Sequence, residues 1–325
     1  NFDGKIDIAS EAEVATESFY TETLGWNEEI WDFSKVSTGG RPKLRNSDPN
    51  DNSSLVETYN IKTADEFITK ITEDPYARFV LENDIDFSSK NTIIDVEFKG
   101  ILEGNNHKLS GNKVPIFNTL NKAKVNGLII EGSTIISQED NIGALAKTAI
   151  NSEIENVHIT QATIKDANNK VGGIVGYAEN STLKESSSNV VISASGDAVG
   201  GLVGEIKGST IIENCYSSGI LQGNENVGGL VGNVVASTIK YSYSTATVNG
   251  LNAVSGFIGQ STENSIIQNN LALGNQIKQY KFDGKTENEQ FINYANNYEY
   301  EENRGESTLS RQGIDFTGKI DEVKK

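Results

Sequence analysis

The sequence has no methionine, one cysteine, four prolines and two histidines in 325 residues. A lone Cys215 cannot close an internal disulfide, so the chain is not a disulfide-stapled scaffold. His107 and His158 lie 51 positions apart, so the paired histidines flanking a glutamate that a zinc peptidase needs are missing. No serine sits in a Gly-x-Ser-x-Gly elbow, which removes the commonest serine-hydrolase signature. Basic side chains are the minority: 28 Lys and Arg stand against 45 Asp and Glu, and the formal charge of −17 repels nucleic-acid phosphates and anionic membranes. No apolar stretch approaches the length of a membrane-spanning helix and no signal peptide is recognisable, so no membrane insertion is expected. With no initiator methionine, the sequence reads as a piece of a longer polypeptide.

What the chain does have is a phrase that returns at a near-constant interval. Val171-Gly172-Gly173-Ile174-Val175-Gly176 recurs at 199–204 and 227–232, and in weaker form at 254–259, with starts 28, 28 and 27 residues apart. A degenerate copy begins at Ile142, and Val114-Pro115-Ile116-Phe117 lies another 28 residues upstream without the glycines. Self-similarity at a fixed period is the mark of a stacked-repeat architecture. Between copies run a polar corner, a β-branched pair and an alternating stretch such as Tyr243-Ser244-Thr245-Ala246-Thr247-Val248, closed by Asn249-Gly250. Each interval suits three short strands and three bends, and stacking the regular coils at about 4.8 Å gives a rod near 30 Å. The expected fold is all-β, a right-handed parallel β-helix (solenoid) of about 28-residue coils. Glycine at the phrase allows a sharp turn or a close approach to the neighbouring coil.

Aligning successive coils places Ile154, Leu183, Ile212 and Ile239 in one column and Val157, Ser186, Cys215 and Ser242 in another, where small side chains fit a narrow corner. Cys215 is therefore read as a buried small hydrophobe, not a nucleophile. The next column outward holds His158, Ser187, Tyr216 and Tyr243. Glu155, Lys184, Glu213 and Lys240 align as a solvated ladder of alternating charge. A dinucleotide-binding reading of the glycines fails, because such a site needs one occurrence followed by a helix and here the phrase repeats with no helix after it.

Ahead of the coils, Thr63-Ala64-Asp65-Glu66 has capping-box spacing, Phe67, Ile68 and Ile71 form one helical face, and Asp74-Pro75 stops the helix. A solenoid exposes strand edges and apolar side chains at its ends, so this short N-terminal capping helix answers a physical need. The organisation expected is a leading segment over 1–60, capping helix and entry strands over 61–97, the β-helix over 98–275, and a trailing Tyr-, Asn- and Glu-rich segment over 276–325. Phe2-Asp3-Gly4-Lys5-Ile6-Asp7 is repeated with one mismatch at 316–321, as if the chain were one period of a tandem array; Phe282-Asp283-Gly284-Lys285 echoes the same phrase.

The recurrent Gly-Leu/Ile-Val-Gly phrase, with Asn214-Cys215-Tyr216-Ser217 and Tyr241-Ser242-Tyr243-Ser244, resembles the GLUG motif of streptococcal immunoglobulin A metalloproteases and many surface proteins. Thr23-Leu24-Gly25-Trp26, Trp31-Asp32-Phe33 and Gly40-Arg41-Pro42-Lys43-Leu44 resemble the segment that closes such a repeat domain, and 79–87 with 98–107 resemble its opening. The resemblance implies a β-helical module of a Gram-positive surface or secreted protein, extracellular or cell wall-associated, without implying protease activity in this chain.

The function expected is non-catalytic: a spacer and an adhesive or substrate-presenting surface toward host glycoprotein or extracellular matrix, immunoglobulin included, flanked by neighbouring repeat modules. One alternative is the accessory domain of an immunoglobulin A-type zinc metalloprotease whose catalytic domain lies outside this chain. Another is a polysaccharide-cleaving β-helix enzyme, which needs clustered carboxylates on one face; the coil alignment yields no carboxylate column. No catalytic residue, metal ligand or cofactor is expected. The candidate ligand-binding residues are Tyr216, Tyr243 and His158, with Tyr294, Tyr298 and Tyr300 as a second aromatic patch.

Overall fold

The computed structural model describes residues 16–23, 31–32, 43–44, 57–262, 264–272, 293–295, 298–301, 308–311 and 314–315, with the backbone alone at 23, 31–32, 43–44 and beyond 292. The repeated phrases at 2–7, 282–285 and 316–321 fall outside the described residues.

From 57 to 301 the strands stack as a parallel solenoid, and Thr308–Arg311 and Ile314–Asp315 pair antiparallel beyond it. One ladder climbs through ten rungs, from Thr58–Ile61 and Arg78–Leu81 to Ile266–Gln268 and Asn293–Ala295. At roughly 4.8 Å per rung those nine steps span about 43 Å. A second ladder, past the next corner, joins Ser187–Ala194 to Tyr216–Gln222 and then to Tyr243–Ser244 and Thr247–Asn249. A third sheet stacks Phe117–Asn121, Ala146–Ile150, Val175–Glu179, Val203–Lys207, Val231–Val235 and Ile258–Ser261. The valines that open the repeated phrase pair directly, Val171 with Val199, Val199 with Val227 and Val227 with Val254, and Ile142 bridges to Val171. The expected columns Ile154–Leu183–Ile212–Ile239 and Glu155–Lys184–Glu213–Lys240 are observed register.

Stacked aliphatic side chains fill the interior. Ile174, Leu202, Leu230 and Phe257 succeed one another in adjacent coils and are completely buried, as are Val175, Val203, Val231 and Ile258. The N-terminal end differs in its filling. There the steps shorten, with Arg78 opposite Ile101 and Ile101 opposite Lys124, and Phe79, Phe98 and Phe117 plug the interior. Phe98 stacks on Phe117 with ring centroids 5.0 Å apart.

The helix Ala64–Glu73 is inserted between the first two rungs and closes this end. Thr63 accepts from the Glu66 N–H while the Glu66 carboxylate accepts from the Thr63 N–H, so the capping box forms as its spacing predicts. Its apolar face turns inward: Phe67 meets the ring of Phe87 edge-on at 5.5 Å and lies 6.1 Å from that of Phe117.

The corners are built differently from the sequence expectation. None of the phrase glycines has a positive φ. Three columns of mostly non-glycine residues turn the chain instead, each in the left-handed region. They are represented by Asn141, Lys170 and Asn226; by Asn151, Asn180 and Ala236; and by Asn156, Glu185 and Asn214. Asparagine recurs because its short polar side chain tolerates that conformation better than most.

The phrase glycines are needed for room. A Cβ on Gly200 would stand 2.0 Å from the Val203 carbonyl oxygen of its own turn. One on Gly201 would stand 2.3 Å from the Gly229 oxygen in the next coil. Behind two of the corners, buried hydroxyls satisfy the freed backbone. Ser152 Oγ accepts from the Ala123 N–H, Ser181 Oγ from Ser152 N–H, and Ser186 Oγ from Val157 N–H. Cys215 stands in that last column, buried and reduced, with Ser242 Oγ accepting from its N–H.

Candidate functional site

The second ladder carries the candidate residues because alternation sends every other side chain outward. In Tyr216–Gln222 the residues Ser217 and Leu221 point inward and are buried, while Tyr216, Ile220 and Gln222 are exposed. The same alternation governs Ser187–Ala194 and 243–249. His158, Ser187, Tyr216 and Tyr243 form one outward column, as their alignment predicts.

The structure brings Tyr216 and Tyr243 together and commits His158 elsewhere. The two tyrosine rings lie 5.0 Å apart and within 5° of parallel, so each uses one face on the other, and both residues remain partly exposed. Burial, with the Tyr216 phenol alongside, pushes the Tyr243 hydroxyl above its ordinary range. His158 is half-buried, with Nε2 2.9 Å from Asn156 Oδ1 and Nδ1 2.8 Å from Ser187 Oγ. An amide oxygen only accepts, so this network assigns the proton to Nε2 and makes Nδ1 the acceptor from the Ser187 hydroxyl. Burial holds its pKa below the ordinary 6.5, which fits a neutral ring tied at both nitrogens.

The rest of the face was not evident from the tyrosine column alone. Ile220, 57% exposed, and Val191, 43% exposed, pair in adjacent rungs four residues along from Tyr216 and Ser187. Asn189, Gln222 and Thr245 project beside them. The three segments 187–194, 216–222 and 243–249 contain no charged residue, in a chain of formal charge −17. Carrying the period-two alternation onward from each tyrosine would have found these positions.

Charged side chains gather at the margins. Lys240 meets Glu213 at 3.1 Å on the adjoining face. On the third sheet Lys170 lies over the Tyr177 ring at 4.6 Å and pairs with Glu205 at 3.0 Å, while the Tyr177 hydroxyl donates to Glu179. His107 follows left-handed Asn105 and Asn106 in a turn, with Nδ1 3.2 Å from Asp84 Oδ1. Among the described residues, no three His, Cys, Asp or Glu side chains gather as a metal site, and no helix is long and apolar enough to cross a membrane. The side chains of Tyr294, Tyr298 and Tyr300 lie outside the described residues; their backbones continue the ladders.

Comparison with known proteins agrees with this architecture. Residues 56–161 match the family described as the M26 IgA1-specific metallo-endopeptidase N-terminal region, and residues 223–249 match the GLUG motif. The chain thus carries a GLUG-motif β-helix, as the resemblance implied. Among solved structures, one described as IgA1 protease superposes with a TM-score of 0.60 at 18% identity, over 83% of this chain and 23% of that one. A Bacteroides ovatus protein assigned as an immunoglobulin A1 protease superposes with a TM-score of 0.60 at 20% identity, over 76% of this chain and 85% of that one. At these identities the likeness is one of fold. The chain spans under a quarter of the first of these two proteins. No curated protein matches it significantly.

Proposed function

We propose that the chain is a non-catalytic accessory module of a secreted immunoglobulin A protease-like protein, serving as a rigid spacer that presents substrate to a catalytic domain elsewhere in the polypeptide. The observation that carries this reading is the match of residues 56–161 to a region named as N-terminal to the peptidase, not to the peptidase itself. Physical features support it. A solenoid whose coils bury continuous aliphatic columns is stiff along its axis, and stiffness is what a spacer needs. A repeating face offers an extended host-glycoprotein contact without a pocket. The same comparison supports secretion, since an immunoglobulin substrate is extracellular.

The test is capture of immunoglobulin A1 and, separately, immunoglobulin G on the immobilised chain. Retention of immunoglobulin A1 in preference to immunoglobulin G is expected. Equal retention of both, or of neither, would reduce the module to a spacer and remove substrate presentation.

A further inference from the structure

The outward face of 187–194, 216–222 and 243–249 is uncharged throughout, while its borders are not: Lys184, Glu213 and Lys240 precede it and Asp197 and Glu225 follow it. A random sample of this surface would include charges, since 73 of 325 residues, 28 basic and 45 acidic, are ionised. The strip combines two chemistries. Val191 and Ile220 form an exposed aliphatic pair four residues along the strands from the Tyr216–Tyr243 stack. Asn189, Gln222 and Thr245, also exposed, add amide and hydroxyl groups that both donate and accept.

The geometry points to a neutral oligosaccharide, lying extended across these three rungs, as the ligand of this face. The assignment rests on the reading of the module as a surface toward host glycoprotein and names the part of that glycoprotein it takes. Three features favour this occupant. The strip measures roughly 14 Å by 23 Å, a footprint of about 320 Å², from rung spacing and rise per residue, well below the roughly 800 Å² per partner of a stable protein dimer. Peptide addition at a sheet edge is closed off, because Tyr216–Gln222 is hydrogen-bonded to strands on both sides. The strip itself holds no charged group; Lys165, in register with Ser193, and Lys184 and Lys240 stand only at its margin, and the formal charge of −17 disfavours an anionic ligand. What such a face recognises is a neutral molecule with apolar C–H surfaces and many hydroxyls. The hydroxyls exchange hydrogen bonds with the amides while the C–H surfaces cover Val191 and Ile220.

The test is titration calorimetry of the whole chain with cellopentaose, maltopentaose, the β-1,4-linked N-acetylglucosamine pentamer and, as an anionic counterpart, pentagalacturonate. At least one neutral pentasaccharide is expected to bind, and pentagalacturonate is expected not to. Ile220→Lys places a charge at the centre of the strip and should weaken binding at least tenfold. Ile266→Lys, exposed on the adjoining face, should leave it unchanged. Gln222→Glu serves as a second charge insertion at a surface position should Ile220→Lys alter the thermal unfolding curve. The proposal falls if no neutral pentasaccharide binds at about 10 mM, if both strip variants bind as the parent does, or if Ile266→Lys weakens binding equally. It also falls if the strip variants lose immunoglobulin A1 that has been stripped of its glycans, because the face then contacts protein. Retention of immunoglobulin A1 without oligosaccharide binding would leave the substrate-presenting reading standing and this assignment overturned; loss of both would end both.

Discussion

The Ser217 hydroxyl crosses the coil interior and donates to the Gly229 carbonyl oxygen at 2.6 Å. The same arrangement recurs one coil earlier, between Ser188 and Gly201. This contact ties the serine of the Tyr-Ser phrase to the glycine phrase on the opposite wall, and it explains why the two phrases travel together in the repeat. The glycine must lack a side chain because its neighbours stand where a Cβ would be, and the serine occupies the space that remains.

Gly201→Ala is therefore expected to be severely destabilising, by about 3 kcal/mol or more, because the added methyl meets backbone that cannot retreat without displacing the next coil. Ser217→Ala removes only the cross-coil hydrogen bond and should cost about 1–2 kcal/mol. Urea unfolding followed by circular dichroism gives both values. A Gly201→Ala midpoint equal to that of the parent would sink the steric account.

Cys215 should behave as a serine substitute and not as a reactive thiol. Burial pushes its pKa up to about 12, and the Sγ lies 3.2 Å from the Glu213 carbonyl oxygen, to which it donates. Because Ser186 and Ser242 hold neighbouring positions of that column, Cys215→Ser is expected to change stability by less than about 1 kcal/mol. In the native chain at pH 8 the thiol should resist Ellman's reagent, and in guanidinium chloride it should react fully. Rapid modification of the folded chain would contradict the burial.

His158 should make the coil stack sensitive to mild acid. Its folded pKa is depressed by burial, so the unfolded chain binds the proton more readily. The contribution is present in full above the ordinary 6.5 and is lost as pH falls below that value toward the lower folded pKa. Thermal unfolding between pH 7.5 and 5 should show a steeper fall for the parent than for His158→Gln, which supplies a neutral amide in place of the ring. Parallel curves would assign the acid sensitivity to other groups.

The regular coils were legible from 142 to 259 because interior packing there repeats chemically as well as geometrically. An apolar column such as Ile154, Leu183, Ile212 and Ile239 has to recur at the coil length, and its period reveals the pairing of every residue between, including the Glu155–Lys184–Glu213–Lys240 ladder. The N-terminal coils were less legible. Their interior is filled by Phe79, Phe98 and Phe117 in place of the glycine phrase, and bulkier filling accompanies shorter steps that share no period with the rest. The outward strip was half-read, because only the tyrosines stood out by residue type.

By itself, then, the sequence determined the coil period, the rung register, the buried columns and the capping helix, since each follows from burial pattern and local capping chemistry. The tertiary structure alone decided where the chain turns and what the tyrosines present. Residues as unlike as Lys170, Ala198 and Glu185 take left-handed conformations because closing a three-sided coil imposes them, whatever the local preference. Tyr216 and Tyr243 turn one face each to the other because the strand spacing puts equivalent rings in adjacent coils at stacking distance, so two aligned aromatic residues become one stacked pair.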